Sequence, residues 1–400
     1  MNLASRMSTL AAEGAYAVLS SAQELERQGK SIIHLEIGQP DFATPAHIVR
    51  AGIAALRAGK TRYTPPLGVW ELREAIAKQV SAARGKETSS GNIAVTPSGK
   101  TAIFAALAAT VSAGDEVMYP DPGFPTYRTL IEFFGGKGVP VPLVESNHFS
   151  FDMRVFRKKF TRKTKLIILN SPSNPTGGVI PKRDIEEIAD TVKGRSCWVM
   201  SDEMYSRMLY DNTPYASIYS VPGMQKQTII VDGFSKTYAM TGWRLGYVVV
   251  PEAIIDRIDY LLTHTVGCTA AFVQEAGVAA LRGPQKASEA MVKEFKKRRN
   301  IVVPLLNAIP GVRCPVPDGA FYAFPNISSF NKSSKEIAHY LLHKAGVAVL
   351  AGSDFGRYGE GYLRISYAAK LPILEEGINR MRKALEKLRT SNKTCYSSSE

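Results

Sequence analysis

The stretch Thr228-Ile229-Ile230-Val231-Asp232-Gly233-Phe234-Ser235-Lys236-Thr237-Tyr238-Ala239-Met240-Thr241-Gly242-Trp243-Arg244-Leu245-Gly246 runs from one short apolar segment, through a polar glycine-bearing turn, into a second apolar segment, Leu245 to Val250. Short apolar runs bounded by such turns read as buried strands. Lys236 stands between these buried elements, and Arg244 lies eight residues on. Partial burial and a neighbouring cation lower a lysine's pKa and make its amine a usable nucleophile, whereas a buried lysine without a function is rare.

Working outward, further apolar runs at Asn92–Thr96, Glu116–Tyr119, Leu166–Leu169 and Cys197–Met200 alternate with amphipathic stretches. That alternation predicts an α/β architecture with a largely parallel sheet. In open α/β sheets the ligand lies outside the carboxyl ends of the strands, so the turns that follow these runs are where chemistry is expected. From about Lys286 the chain opens with a long charged helix, passes Pro315, Pro317 and Gly319, and closes with a helical pattern from Leu371 to Leu388. The expected division is a large domain over 46–289 and a small domain built from 1–45 and 290–400. The tail Thr390 to Glu400, rich in Ser and Thr, reads as disordered.

Three turns and one alternating strand, Tyr362–Tyr367, carry candidate chemistry. Thr96-Pro97-Ser98-Gly99-Lys100-Thr101 follows a strand and opens an apolar helix, which reads either as a small-residue cap or as an anion site of exposed backbone N–H groups. Asn170-Ser171-Pro172-Ser173-Asn174-Pro175-Thr176-Gly177-Gly178 is a stiff loop in which Asn174 offers both a donor and an acceptor, and an Asx turn is the competing account. Asp202, in Ser201-Asp202-Glu203-Met204-Tyr205, sits where an apolar strand leaves the sheet. A carboxylate is costly there unless a cation or several donors meet it, or unless it caps a helix. Arg364, in Tyr362-Leu363-Arg364-Ile365-Ser366-Tyr367, presents a guanidinium fork suited to a carboxylate, with a surface salt bridge as its plainer reading.

Composition narrows the class. At 400 residues, 45% apolar and 22% charged, the chain is that of an ordinary globular protein, and 32 Gly with 23 Pro are too few for a low-complexity one. The longest nearly apolar stretch, Ala102 to Ala113, is too short to span a bilayer, so no membrane partner is expected. A surplus of 50 Lys and Arg over 36 Asp and Glu gives a net charge of +14. Much of it lies in two runs, Arg154, Arg157, Lys158, Lys159, Arg162, Lys163 and Lys165, then Lys293, Lys296, Lys297, Arg298 and Arg299. Apolar residues recur within both, so they read as solvated helix faces, and no nucleic-acid motif accompanies them. The four scattered cysteines show no metal or disulfide spacing, and no secretory signal is apparent, so cytoplasmic residence is expected.

Together these turns resemble the class I aminotransferases, pyridoxal-phosphate enzymes of fold type I related to aspartate aminotransferase. The likeness runs from Ile37 to about Leu388, through Ser235–Gly246, Ile37-Gly38-Gln39-Pro40-Asp41-Phe42, Tyr63-Thr64-Pro65-Pro66-Leu67-Gly68, Asn174-Pro175-Thr176-Gly177, Pro317-Asp318-Gly319-Ala320-Phe321-Tyr322 and Arg364-Ile365-Ser366-Tyr367. The resemblance implies a mostly parallel sheet flanked by helices plus a smaller α/β domain, and a homodimer with shared active sites. It implies ping-pong transfer of an amino group from an L-amino acid to a 2-oxo acid, with 2-oxoglutarate as the expected acceptor.

By the same resemblance, Lys236 holds pyridoxal 5′-phosphate as a Schiff base and shuttles the substrate α-proton. Asp202 meets the pyridine nitrogen, Asn174 and Tyr205 the phenolate oxygen, and Phe124 stacks on the ring. Ser98, Gly99, Lys100, Ser235 and Arg244 bind the phosphate, with Tyr63 supplied across the dimer. Arg364 clamps the substrate α-carboxylate, aided by Asn174 and the backbone of Gly38, and the first 30 or so residues form a dimer-contact arm. Two positions depart from the family pattern: Gly233 stands where a serine is common, and Lys100 follows Gly99 where a small or polar residue is common. No second cation is assigned to a distal substrate carboxylate. β- or γ-elimination, replacement or cyclisation at the same site is the alternative chemistry. A pyridoxal-phosphate-binding transcription regulator is disfavoured, because about 36 residues before Ile37 are too few for a DNA-binding domain.

Overall fold

All six apolar runs expected to be strands lie in one sheet. The computed structural model describes residues 3–10 and 13–396, with side chains as far as Thr390. In chain order its strands are β1 (Ile33–His34), β2 (Ile93–Thr96), β3 (Glu116–Asp121), β4 (Lys137–Val144), β5 (Ser150–Phe151), β6 (Thr164–Asn170), β7 (Trp198–Asp202), β8 (Thr228–Gly233), β9 (Gly246–Val249), β10 (Tyr322–Ala323), β11 (Val347–Ala348), β12 (Leu350–Ala351) and β13 (Leu363–Ser366). The central sheet has the order β2-β9-β8-β7-β6-β3-β4-β5. From β4 through β3, β6 and β7 to β8 every pairing is parallel, while β9 is antiparallel to both its neighbours. Strands buried on both faces need no polar alternation, which is why Leu166, Ile167, Ile168 and Leu169 form an unbroken apolar run at 0–1% exposure.

The chain leaves β3 toward β4 but leaves β6 toward β7, so strand order reverses between β3 and β6. A crevice opens at such a reversal. Phe124 follows β3 and Asn174 follows β6, which brings residues distant in sequence to one rim. The edge strands β4 and β5 escape a reading by pattern. Pro140 and Pro142 in β4 break the strand signal and are tolerated because β5 reaches only Leu143 and Val144 on that side.

A second core packs beside the central sheet. The antiparallel trio β10-β13-β12 and the parallel pair β1-β11 are covered by helices Lys286–Asn307 and Leu371–Tyr396. Phe295, Val302 and Leu306 from the first helix meet Leu374, Ile378 and Leu385 from the second, and Ile33 and Leu35 join them from the N-terminal side. Two expectations need correction. The closing helix continues to Tyr396, so the stretch from Thr390 is not irregular there; neither proline nor glycine stops it after its last buried turn, and residues 397–400 lie outside the described residues. Arg298 and Arg299 are not on a solvated face but buried. Arg298 pairs with Asp41 at 2.7 Å, and Arg299 meets Asp211 and donates to the Pro317 carbonyl at 3.0 Å, so both charges tie the long helix to neighbouring loops. Among the described residues no helix is long and apolar enough to cross a membrane.

Candidate active site

The sheet's carboxyl edge and the second core enclose a cleft of about 1330 Å³, and every expected site residue except Tyr63 lines it. Lys236 lies just beyond the end of β8, and its Nζ donates to the Gly38 carbonyl at 2.5 Å. Burial first, then the charges of Arg364, Arg244 and Lys100, pull its pKa down to about 8. An amine of that pKa gives up and takes back a proton near neutrality. In cofactor-free protein, reductive methylation of Lys236 followed by mass spectrometry should titrate near pH 8, and Arg364→Leu should move the midpoint upward because it removes a repelling cation. A midpoint near the ordinary lysine value of 10.5 would contradict the burial argument.

Asp202 is the last residue of β7 and its side chain faces the cleft. The next residue, Glu203, pairs with Arg84 at 2.5 Å, as the two-residue period of an extended chain requires. Burial pushes the Asp202 carboxyl up to about 6, against the pull of a 2.5 Å hydrogen bond from the Tyr127 hydroxyl and a 3.2 Å bond from the Met204 N–H. It does act as a local backbone cap, but its second oxygen faces the pocket floor with Tyr127. Phe124 packs edge-on against Tyr127, with ring centroids 5.7 Å apart.

Ser98, Gly99 and Lys100 open the helix Gly99–Thr110, where Ser98 Oγ accepts from the Thr101 N–H at 3.2 Å. Ser98 therefore caps the helix through its side chain, and Ser98, Gly99 and Lys100 also line the cleft. Ser235 is buried, and Arg244 is exposed at the rim with Nη1 on the Thr241 carbonyl at 2.7 Å. Ser98 and Arg244 both hold positive φ, +147° and +58°. Non-glycine residues keep such angles where surrounding structure overrides local preference, as happens at binding sites. The Lys100 ammonium points elsewhere: it pairs with Glu13 at 2.5 Å and lies 5.4 Å above the Phe124 ring. At Gly233 an added Cβ would stand 3.0 Å from the Leu245 carbonyl oxygen and 3.3 Å from Met204 Cε. The Met204 methyl group thus crowds the space a serine would use.

Arg364, on β13, is 4% exposed and makes no surface salt bridge. Its Nη1 donates to Asn174 Oδ1 at 3.2 Å, Nη2 donates to the Glu36 carbonyl, and Nε has no partner among the described residues. The guanidinium lies 4.7 Å from the Tyr322 ring and 5.0 Å from that of Phe355. An unpartnered buried donor beside a cleft is costly unless a ligand completes it. Asn174 is fixed in turn by its N–H bond to Asn170 Oδ1 at 2.9 Å. Tyr205 and Tyr322 share a 2.7 Å hydroxyl contact.

Gly38 carries the carbonyl that receives Lys236, and an added Cβ there would lie 2.1 Å from the Tyr322 hydroxyl oxygen. Tyr322 is buried and bonded to Tyr205, so it has no room to yield. Gly38→Ala is expected to lower kcat/KM about 10²-fold by displacing reacting groups on the order of 1 Å, while far-ultraviolet circular dichroism stays unchanged.

Tyr127, Tyr322 and Glu13 were not singled out from sequence. A fully buried tyrosine signals a hydroxyl that needs a partner, and Tyr127 sits three residues after Phe124, but its partner Asp202 is 75 residues away. Tyr63 is 96% exposed and stands outside the cleft.

The chain matches the model of the family described as aminotransferase class I and II over residues 30–380. It is 44% identical to an aspartate aminotransferase of Pyrococcus abyssi over 359 residues, covering 89% of this chain and 92% of that one. It is 41% identical to aromatic-amino-acid aminotransferase 2 of Thermococcus litoralis, with the same coverage. Among solved structures, the aspartate aminotransferase of Rhizobium meliloti superposes with a TM-score of 0.93 at 33% identity, covering 96% of this chain and 99% of that one. The chain therefore belongs to the class I and II aminotransferase family and is an enzyme with the aspartate-aminotransferase-like α/β fold.

Proposed function

We propose that the enzyme transfers the amino group of an L-amino acid to a 2-oxo acid, with 2-oxoglutarate as acceptor, by a ping-pong cycle in this cleft. The observation that carries the reading is the convergence of a buried, pKa-lowered Lys236, a buried Asp202 whose carboxyl is raised by burial, and an Arg364 whose Nε has no partner among the described residues, on one cavity. That set fits pyridoxal 5′-phosphate. Asp202 lies where a pyridinium nitrogen would relieve its burial, the Ser98–Lys100 helix start with Ser235 and Arg244 forms a cationic cradle for a phosphate, and Phe124 offers a ring face. Asn174 and Tyr205 supply polar groups for the phenolate oxygen.

When bound, that cofactor supplies an aldehyde that exchanges amines and a ring that accepts electrons. The chain does the rest. Arg364 orients the substrate by its α-carboxylate, with Asn174 and the Gly38 backbone beside it. Lys236 Nζ would take the proton from the substrate α-carbon and hold it for return, a transfer suited to an amine of pKa about 8. Asp202 would supply negative charge to a ring nitrogen, held in place by the Tyr127 hydroxyl. The Lys100–Glu13 pair bears on specificity: an acidic substrate side chain approaching the Lys100 ammonium would compete with the Glu13 carboxylate.

We place the active enzyme in a homodimer that shares its sites, because Tyr63 together with Ile53, Leu56 and Tyr260 leaves large apolar groups exposed. In that arrangement the segment before residue 30 serves as a contact arm and Tyr63 reaches the partner's phosphate. We divide each chain into 46–289 and 1–45 with 290–400, and assign the protein to the cytoplasm, in keeping with free Cys197, Cys268 and Cys314.

The test is a half-reaction. Loaded enzyme mixed with a donor alone should convert about one equivalent per site to the 2-oxo acid and leave the cofactor aminated, and 2-oxoglutarate added afterwards should restore the original spectrum. Ammonia or a cyclised product with the cofactor unchanged would refute transamination in favour of elimination or cyclisation.

A further inference from the structure

One buried carboxylate joins the segments that lead to two residues of the cleft. Asp121 ends β3, and Asp121-Pro122-Gly123-Phe124 carries Phe124 into the pocket. The segment Phe355–Tyr358 precedes β13 and Arg364, which also lines the cleft. Asp121 is 2% exposed, and its two oxygens reach across: Oδ2 accepts from the Arg357 N–H at 3.2 Å and Oδ1 from the Tyr358 N–H at 3.0 Å. Beside these, the Gly123 N–H donates to the Phe355 carbonyl at 2.8 Å. The approach is so close that a Cβ on Gly356, which holds φ +129°, would stand 2.1 Å from Asp121 Oδ1. The segment pinned in this way sets the Phe355 ring 5.0 Å from the Arg364 guanidinium.

We propose that Asp121 is a positioning residue for substrate binding: its carboxylate fastens the Phe355–Tyr358 segment to the end of β3, so that Phe355 holds Arg364 in the orientation that receives a carboxylate. Arg364 needs that support. Among the described residues its side-chain hydrogen bonds are those to Asn174 and the Glu36 carbonyl, and Nε has no partner. A carboxylate is well suited to the task because two acceptor oxygens can take two successive backbone N–H groups, which a hydroxyl or an alanine cannot. The inference rests on the reading of Arg364 as the α-carboxylate clamp.

The experiment uses cofactor-loaded enzyme and an unreactive monocarboxylate, 3-phenylpropionate, with binding measured by calorimetry beside steady-state KM and kcat. Asp121→Ala should weaken 3-phenylpropionate binding and raise KM for the amino donor roughly ten- to a hundredfold, the effect of misplacing a clamp by about 1 Å, with kcat changed much less. Asp121→Asn, which keeps one acceptor oxygen, should recover part of the loss. Phe355→Leu leaves the Asp121 contacts in place and should shift KM and ligand affinity in the same direction, so the proposal stays open to test even if Asp121→Ala folds poorly. A lowered melting temperature with unchanged ligand affinity in both Asp121→Asn and Phe355→Leu would overturn the proposal and leave Asp121 a structural contact. Arg364→Leu should abolish most 3-phenylpropionate affinity. If it does not, the clamp reading itself fails, separately from the role of Asp121.

Discussion

A Lys236→Ala enzyme is expected to turn over at least about 10⁴-fold more slowly than the parent, because general acid–base catalysis alone contributes up to that factor and the covalent link to the cofactor is lost with it. Among the described residues no other free amine lines the cleft in position to substitute. Lys100, also in the cleft, is held by Glu13 at 2.5 Å over the Phe124 ring, while Arg244 and Arg364 are guanidiniums that do not give up a proton. The folded state should tolerate the change, since removing an ammonium from a site that burial and three cations disfavour relieves a cost. Two measurements check this: turnover with any donor that the parent accepts, and retention of the cofactor on dialysis, which should fall. A variant that keeps more than about a hundredth of parental turnover would fall outside the range for loss of a general base and would remove Lys236 from the mechanism.

Asp202→Asn is expected to lower kcat/KM about 10²- to 10⁴-fold, in line with the roughly 3–5 kcal/mol that loss of one partner from a buried ion pair costs. The amide keeps the shape and still accepts the Tyr127 hydroxyl, so the lost quantity is charge at the ring nitrogen. Cofactor-free stability should move the other way. The Asp202 carboxyl is raised to about 6 in the folded protein from an ordinary 3.8, so its ionisation opposes folding. That penalty is absent below the unfolded value, grows through the interval between the two, and is fully present above the folded one. Asp202→Asn should therefore stabilise cofactor-free protein at pH 8 and have little effect at pH 4. Equal melting temperatures of variant and parent at pH 8 would argue against burial as the cause of the shift.

Much of the site was legible in sequence because its parts sit at strand ends. Lys236, Asp202 and Asn174 each follow an apolar run, and a chain leaving a buried strand places its next polar residue at the carboxyl edge of the sheet. Arg364 was legible by another route, as a charge within an alternating strand. Resemblance to the family then assigned roles that residue types alone left open, the cap against the anion site at Ser98 among them. The structure shows the cap and sets the turn in the cleft's lining. The burial of Arg298 and Arg299 ran against the pattern: helical spacing reports which face a residue occupies, but the acidic and carbonyl partners that draw these two inward, Asp41, Asp211 and Pro317, lie on loops remote in the chain.

Local pattern was enough for six strands of the central sheet, its largely parallel character, the turns that carry Lys236, Asp202 and Asn174, and the alternating strand that carries Arg364, since periodicity and turn chemistry are properties of neighbouring residues. Only the tertiary structure decided that Tyr127 aims Asp202, that Glu13 occupies Lys100, that Met204 crowds the space beside Gly233, and that Asp121 ties Phe355 beneath Arg364. Each of these depends on groups far apart in sequence meeting within a hydrogen-bond or van der Waals distance, and such meetings are set by how the layers pack rather than by any local pattern.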